Sequence, residues 1–294
     1  MSEVSLAARK RTGTVRAKDA VFKTFIYAGI GVALLALATL VISVLVEGRS
    51  RLNMDLIRNM PSARPTRAGI QSAIFGTLWV VGLTALISLP AGIGAAIYLE
   101  EFANRERWYN KLIALNIQNL AAVPSVVFGI LGLAFIKRGA LNLGSTVITA
   151  SLVLAILILP TVVIVSREAI RAVPDSLRQS SMALGATKWQ TVWRTVLPSA
   201  VPGIATGSIL SISRAIGESA PLLMLGALTF ITFNPDGIHS QYTVLPIQIF
   251  SYVSNAKSEF KPVAAASIVV LLMILLVLNS VAVLVRKRFR ERNT

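Results

Sequence analysis

The chain has 294 residues, of which 54% are hydrophobic and only 14% are charged, and its formal net charge is +16. Soluble domains carry about 25% charged residues, so this composition excludes an ordinary soluble domain. The sequence has no cysteine and a single histidine, His239. These counts exclude a disulfide framework, a thiolate metal site and a histidine metal cluster.

Six apolar runs are each long enough to cross a hydrocarbon layer of about 30 Å at 1.5 Å per residue. They lie near residues 22–46, 70–99, 112–136, 143–166, 197–232 and 263–285. The sequence therefore predicts an all-α polytopic membrane protein with six transmembrane helices. Prolines inside the runs predict breaks at Pro90, Pro124, Pro160, Pro202 and Pro221.

The predicted organisation has four parts along the chain. They are a basic tail over 1–21, a first uncleaved transmembrane helix over 22–46, a core of five transmembrane helices over 70–285 that includes a surface segment at 174–197, and a basic tail over 286–294. Lys and Arg concentrate in both tails and in the connections after the second and fourth runs, so the positive-inside rule places both termini in the cytoplasm. The arginine-rich loop 49–67 weakens this bias without reversing it. Small residues predict close helix packing at Gly92, Gly94, Gly129 and Gly132.

The segment between the fourth and fifth runs reads AVPDSLRQSSMALGATKWQTVWRTVL over 172–197 and is too charged to insert. Pro174 and Asp175 are typical of the first turn of a helix. The missing N–H of proline costs no hydrogen bond there, and an acid interacts favourably with the helix dipole. Gly185 interrupts, and Thr187 with Gln190 has capping-box spacing for a second helix that ends near Leu197 and Pro198. We call residues 174–197 the elbow. The alternative interpretation is a solvated amphipathic loop.

The elbow resembles the cytoplasmic motif of binding-protein-dependent ABC importer permeases. Gly185, Leu197 and Pro198 match that motif at its spacing, whereas Thr195 replaces its isoleucine and the segment 179–181 replaces its Glu-Ala-Ala. The resemblance implies that the first elbow helix docks into a cleft of a separate ATP-hydrolysing subunit. The implied docking residues are Gln179, Ser180, Ser181, Ala183, Leu184, Gly185 and Ala186.

Four further segments resemble the phosphate-uptake permeases within that family. They are AVPSVVFGILG (122–132), SRAIGESAPLLML (213–225), TVLPIQIF (243–250) and NSVAVLVRKRF (279–289). This resemblance implies a type I ABC importer permease fold in a bacterial cytoplasmic membrane. It implies three kinds of partner: a second, paralogous permease subunit, a dimer of ATP-binding subunits that holds ATP and Mg, and an external phosphate-binding protein. Another oxyanion as cargo, or the role of the paralogous subunit, remains an alternative.

A charge pair interrupts the fifth apolar run. Arg214 and Glu218 are four residues apart and continue a polar stripe from Gly207 and Ser211. A charge inside a bilayer is costly, so we expect the pair to face the protein interior, either as a self-neutralising ion pair or as a phosphate contact through the guanidinium fork. Ser125, after Pro124, is a second candidate on the substrate path. Transmembrane serines also commonly bond their own backbone.

The usual signatures of catalysis are missing from the sequence. It contains no GxxxxGK[ST], HExxH or GxSxG, so we expect a transport subunit that binds no cofactor itself rather than an enzyme. A secondary transporter would need ion-coupling carboxylates, for which Glu218 is the one candidate. The basic charge is expected to set orientation and to meet anionic membrane lipid rather than nucleic acid.

Overall fold

The computed structural model describes residues 13–104, 106–139, 141–227 and 230–291. Of the predicted tails, 1–12 and 292–294 lie outside the described residues, whereas 13–21 and 286–291 are helical and continue the first and the last helix. The described chain is helical, and its α-helices run in this order: α1 (Gly13–Gly48), α2 (Met54–Arg58), α3 (Gln71–Ile97), α4 (Trp108–Ala121), α5 (Ser125–Leu131), α6 (Val147–Arg171), α7 (Asp175–Ala183), α8 (Lys188–Thr191), α9 (Leu197–Gly217), α10 (Ala220–Met224), α11 (Leu245–Val253) and α12 (Lys261–Glu291). Three π-helical turns extend these helices, at Tyr98–Phe102, Gly132–Lys137 and Val192–Val196.

Within the described ranges, five helical stretches are long and apolar enough to cross a membrane, or up to six if a bent pair counts as one span. They are Val21–Gly48, Gln71–Phe102, Val147–Arg171, Lys188–Gly217 and Ser258–Leu284. The bent pair is Trp108–Ala121 with Ser125–Lys137, and the two helices differ in direction by 103°. The all-α membrane fold is thus confirmed, but the third predicted span is a broken one.

Proline breaks helices at only some of the predicted positions. Pro124 precedes the first residue of α5 and Pro221 lies in the first turn of α10, so both positions mark real breaks. The breaks predicted at Pro90, Pro160 and Pro202 are wrong, because α3, α6 and α9 continue through them. A membrane helix tolerates a proline when neighbouring helices and local adjustments satisfy the carbonyl that the missing N–H leaves free.

The predicted limits of the fifth span are also wrong. One continuous helical stretch runs from Lys188 to Gly217, so the second elbow helix does not end at Leu197 and Pro198, and the span ends well before residue 232. The backbone N–H of Leu197 donates to the carbonyl of Val192, five residues earlier, which is the π-helical bond that joins α8 to α9. Pro198 falls in the first turn of α9, where proline is compatible with a helix.

Helix α6 lies at the centre of the fold. An apolar stretch of 18 residues in α6 is 67% buried, whereas the corresponding stretch of α1 is 0% buried and lies at the periphery. Small residues allow the close approach: Cβ atoms added at Gly92 and Gly207 would lie 2.7 Å from side-chain carbons of Val162 and Val165. Close packing is likewise confirmed at Gly129 and Gly132, but it is wrong for Gly94, because no other described element comes within 4 Å of a Cβ atom added there.

The arginine-rich loop 49–67 packs at the start of α3, which is the end of that helix away from the elbow. Leu56 of α2 is fully buried in a cluster that includes Tyr252 and Phe260. Arg51 donates to the carbonyls of Thr66 and Ala68, at 3.0 and 2.9 Å. The loop therefore has a defined structure that its composition does not predict.

Candidate functional site

The elbow is built from the local signals that the sequence carries. Helix α7 starts after Pro174 with Asp175 in its first turn, and Gly185 adopts the left-handed conformation that glycine favours, with φ +85. The amides of Gly185 and Ala186 donate to Met182 O and Ser181 O, which closes the end of α7.

The second elbow helix begins with the predicted capping box. The amide of Gln190 donates to Thr187 Oγ1 at 3.2 Å, and the amide of Thr187 donates to Gln190 Oε1 at 2.9 Å. Both bonds satisfy amides that the start of a helix would otherwise leave without a partner. The interpretation of the segment as helix, glycine turn and helix is therefore correct.

Most of the predicted docking residues are exposed at the tip of the elbow. Gln179, Ser180, Ala183, Leu184 and Gly185 are exposed, and Leu184 is 90% exposed, which is unusual for a leucine. Ser181 and Ala186 are partly buried. The Ser181 hydroxyl lies 3.0 Å from the Thr191 hydroxyl and joins the two elbow helices, so it already has a structural role.

An ion network that sequence reasoning missed lies directly behind the elbow. Glu100, only 2% exposed, accepts hydrogen bonds from Arg167 Nε at 2.6 Å and Arg171 Nε at 2.8 Å. Its neighbour Glu101, 9% exposed, pairs with Arg178 of α7 at 2.9 Å. The sequence carries one signal of this network. Arg167 and Arg171 are four residues apart on α6, and the two acids, Glu100 and Glu101, are adjacent. Nothing in the sequence specifies which acid meets which arginine.

Aromatic side chains form a second contact between the end of α3 and the elbow. The Trp189 ring lies 5.8 Å from the Phe102 ring and 5.3 Å from the Trp193 ring, centroid to centroid. The Lys188 ammonium lies 5.7 Å from the Phe102 ring centroid, a cation–π distance. Tryptophan is typical of membrane interfaces, so the cluster fits interfacial anchoring of the elbow as well as docking.

The charge pair at the opposite end of α9 is present but differs from the predicted stripe. Arg214 Nε lies 3.5 Å from Glu218 Oε1. The helix ends at Gly217, and Glu218 has extended backbone angles of φ −75 and ψ 112. The Glu218 side chain is 17% exposed, whereas that of Arg214 is 59% exposed, so the arginine is not enclosed by its own chain. At 1.5 Å per residue, Arg214 lies about 25 Å along the helix from Leu197.

The two candidate serines have different surroundings. Ser211 is buried and its hydroxyl donates to Gly207 O at 2.9 Å, which is the backbone bond common for transmembrane serines. Ser125 is the first residue of α5 and is partly buried. Helix α5 packs against α10, which begins two residues after Glu218, so Ser125 and the charge pair lie on adjoining segments.

These features together define a class of protein: a multi-pass helical membrane protein with an exposed helical elbow between two candidate spans and a charge pair at the far end of one of them. Residues 88–291 match the model of the family described as binding-protein-dependent transport system inner membrane component. The chain belongs to this family. It is therefore a permease subunit of an ABC importer, a class that pairs with ATPase subunits and a binding protein and is not itself catalytic.

Several relatives carry names from phosphate transport. The chain is 31% identical over 276 residues to the phosphate transport system permease protein PstA 1 of Mycobacterium tuberculosis, covering 92% of this chain and 89% of that protein. It is 34% identical over 197 residues to the probable ABC transporter permease protein YqgI of Bacillus subtilis, covering 65% and 66% of the two chains. A phosphate transport system permease protein PstC, of Xylella fastidiosa, is 30% identical over 229 residues, covering 68% and 70%.

The fold is shared with solved ABC importers. A chain of a bacterial alginate ABC transporter in complex with a pentasaccharide-bound periplasmic protein superposes with a TM-score of 0.64. The match covers 93% of this chain and 96% of that chain at 18% identity. At that identity the likeness establishes the architecture alone.

Proposed function

We propose that this chain is the PstA-type permease subunit of an ATP-driven inorganic phosphate importer in a bacterial cytoplasmic membrane. The observation that carries the proposal is Arg214, an arginine near the end of a candidate membrane span, which its own chain leaves 59% exposed. The names of the relatives point to the same cargo. The chain would form half of the translocation path.

Exposure of Arg214 to lipid would be costly, because a charged side chain inside the bilayer costs at least about 2.5–3.5 kcal/mol. The proposal places the uncovered side of the guanidinium against a partner subunit or a water-filled path. Within the described part of the chain, Nη1 and Nη2 of Arg214 donate to no acceptor. A guanidinium with two free nitrogens in a planar fork matches the oxygens of a phosphate.

Glu218 would hold Arg214 between transport events. The pair has one long contact of 3.5 Å, in contrast to the 2.6 and 2.8 Å bonds around Glu100. An arginine that is held by one long contact can release the carboxylate of Glu218, bind a passing anion and then pair with Glu218 again. This exchange would keep anion binding weak enough for release. Ser125, on the adjoining segment, and Ser211 complete the proposed path.

The complete transporter would contain this chain, a PstC-type permease, a dimer of PstB-type ATP-binding subunits and an external PstS-type phosphate-binding protein. ATP and Mg would be held by the ATPase dimer, and no cofactor by this chain. The exposed tip of the elbow, with Leu184 at its end, would enter the ATPase cleft. Membrane lipid would surround the outer helices, above all α1.

The test is phosphate uptake and phosphate-dependent ATP hydrolysis by the complete complex reconstituted in vesicles. Charge-assisted hydrogen bonds are worth about 1.5–3 kcal/mol, so we expect Arg214→Lys, which loses the fork, to reduce uptake roughly 10- to 150-fold at wild-type insertion. Arg58→Lys, an exposed arginine of the loop 49–67, is the matched control and should transport normally. Full phosphate uptake by a well-inserted Arg214→Ala complex would contradict the proposal.

The same vesicles separate the competing functions. Competition by sulfate or another tetrahedral oxyanion at equal concentration would assign a different cargo. Uptake that persists without ATP would indicate a secondary transporter. Replacement of this chain by its paralogue without loss of uptake would leave the PstA-type role unsupported.

A further inference from the structure

Arg178 makes an unusually complete set of hydrogen bonds for a residue of a surface helix. Its Nε and Nη2 donate to Glu101 Oε1 at 3.2 and 2.9 Å. Its Nη2 also donates to Ile170 O at 2.9 Å, and its Nη1 donates to Val173 O at 2.6 Å and to Asp175 Oδ1 at 3.0 Å. One side chain thus makes five bonds from three nitrogens.

These bonds join three separate elements. Arg178 belongs to α7, the carbonyls of Ile170 and Val173 lie at the end of α6, and Glu101 lies in the π-helical turn that follows α3. The last carbonyls of a helix have no partner within the helix and attract cations. Arg178 therefore caps α6 while it holds the end of α3 through a carboxylate.

Burial distinguishes this pair from ordinary surface ion pairs nearby. The side chains of Arg178 and Glu101 are 17% and 9% exposed, whereas Asp175 and Glu168, acids of i,i+3 pairs, are 86% and 66% exposed. Screening by water weakens an exposed pair, and a shielded pair with a forked donor keeps both its strength and its geometry. The link between Arg178 and Glu101 is therefore a rigid one.

We infer that Arg178 is a positioning residue that clamps the elbow to α3 and α6, so that displacement of the elbow by the ATPase moves these two spans together with α9. This inference rests on the proposed function, because it assigns a route for the coupling between ATP hydrolysis and transport. Without the clamp, α7 is joined to the spans through the chain on either side of it. The second elbow helix keeps its own contacts, through Trp189 and Lys188 on Phe102 and through Val196 in a buried cluster with residues of α3 and α6. ATP hydrolysis would then continue, but the movement of the elbow would be transmitted poorly to the spans.

The experiment compares Arg178→Lys and Glu101→Gln with wild type in the full reconstituted complex, with Glu168→Gln as the matched control. Lysine keeps the charge but, as a single ammonium, does not hold Glu101 and two carbonyls together. Four quantities are measured: the ATPase subunits that co-purify, basal ATP hydrolysis, the stimulation of hydrolysis by the external binding protein, and the phosphate imported per ATP.

We expect both variants to assemble with normal basal hydrolysis, and to lose about fivefold or more in stimulation and in phosphate per ATP, as typical coupling energies imply. Glu168→Gln should match wild type. Wild-type stimulation in both variants would overturn the inference. Failure of both variants to assemble would also overturn it, because the pair would then serve folding alone.

The two proposals fail in different ways. If the wild-type complex is stimulated by its binding protein but imports no phosphate, the proposed cargo is wrong, and the stimulation of the variants still tests the clamp. If the wild-type complex imports phosphate and both variants keep their stimulation, the proposed function stands and the clamp does not.

Discussion

Gly129 of α5 lies directly against Pro221 of α10. A Cβ atom added at Gly129 would lie 2.6 Å from Pro221 Cα and 2.9 Å from Pro221 O, closer than real side chains approach backbone. The two short helices that follow the breaks at Pro124 and Glu218 thus pack through a site that only glycine fits. Their contact positions α10, which follows the charge pair of Arg214 and Glu218 in the chain.

Gly129→Ala should therefore lower the free energy of unfolding and impair transport. The methyl group must displace backbone rather than a flexible side chain, and overpacking of this kind costs about 1–3 kcal/mol. Equilibrium unfolding in mixed micelles measures the change. Gly94→Ala is the control, because Gly94 lies in α3 and no other described element comes within 4 Å of a Cβ atom added there. Equal stability of the two variants would show that α5 and α10 separate easily.

Glu100→Gln should cost about 1.5–3 kcal/mol of unfolding free energy, because it removes the charged acceptor of Arg167 and of the more exposed Arg171. Glu168→Gln removes an acid that is 66% exposed and should change stability by less than about 1 kcal/mol. The same unfolding titration compares them. Similar values for both would mean that the network contributes little to folding.

Thr187→Ala should loosen the start of the second elbow helix, since it removes the oxygen that accepts the amide of Gln190. Loss of such a cap costs about 0.5–2 kcal/mol. Amide hydrogen exchange over 188–191 is the local measurement and should accelerate. Thr187→Ser keeps the oxygen and should exchange as wild type does. Unchanged exchange in the alanine variant would show that the helix is held by its continuation into α9 alone.

Gly185→Val should reduce co-purification of the ATPase more than Gly185→Asn. The space around Gly185 is open, with nothing within 4 Å of an added Cβ, so the penalty comes from its φ of +85. A β-branched residue is strained there, whereas asparagine tolerates the left-handed region. Equal losses in both variants would indicate that bulk in the ATPase cleft, rather than the shape of the turn, decides docking.

The features that sequence predicts well are local ones. The turn at Gly185 and the capping box of Thr187 with Gln190 depend on residues within a few positions of one another, and the break at Pro124 follows from a missing N–H. The position and shape of the elbow are therefore encoded within the segment and can be predicted from it. Proline is a poor guide inside α3, α6 and α9, because tertiary packing decides whether a proline ends a membrane helix.

The features that sequence does not predict depend on contacts across the chain. Glu101 and Arg178 are 77 positions apart, and no periodicity indicates that they meet. The outward exposure of Arg214 likewise depends on which face of α9 its neighbours cover. The pairing of Arg214 with Glu218 is predictable because four residues separate them, although the helix ends between the two.

The dependence of Arg178 on Glu101 has a consequence for engineering. Residues 174–197 look like a portable module, because their turn and caps are encoded within the segment itself. In a chimera that carries this segment in an unrelated permease, Arg178 would nevertheless lack its carboxylate partner, because Glu101 lies 77 positions upstream of it. Exchange of docking specificity between transporters of this kind therefore requires transfer of the acidic turn Tyr98–Phe102 along with the elbow.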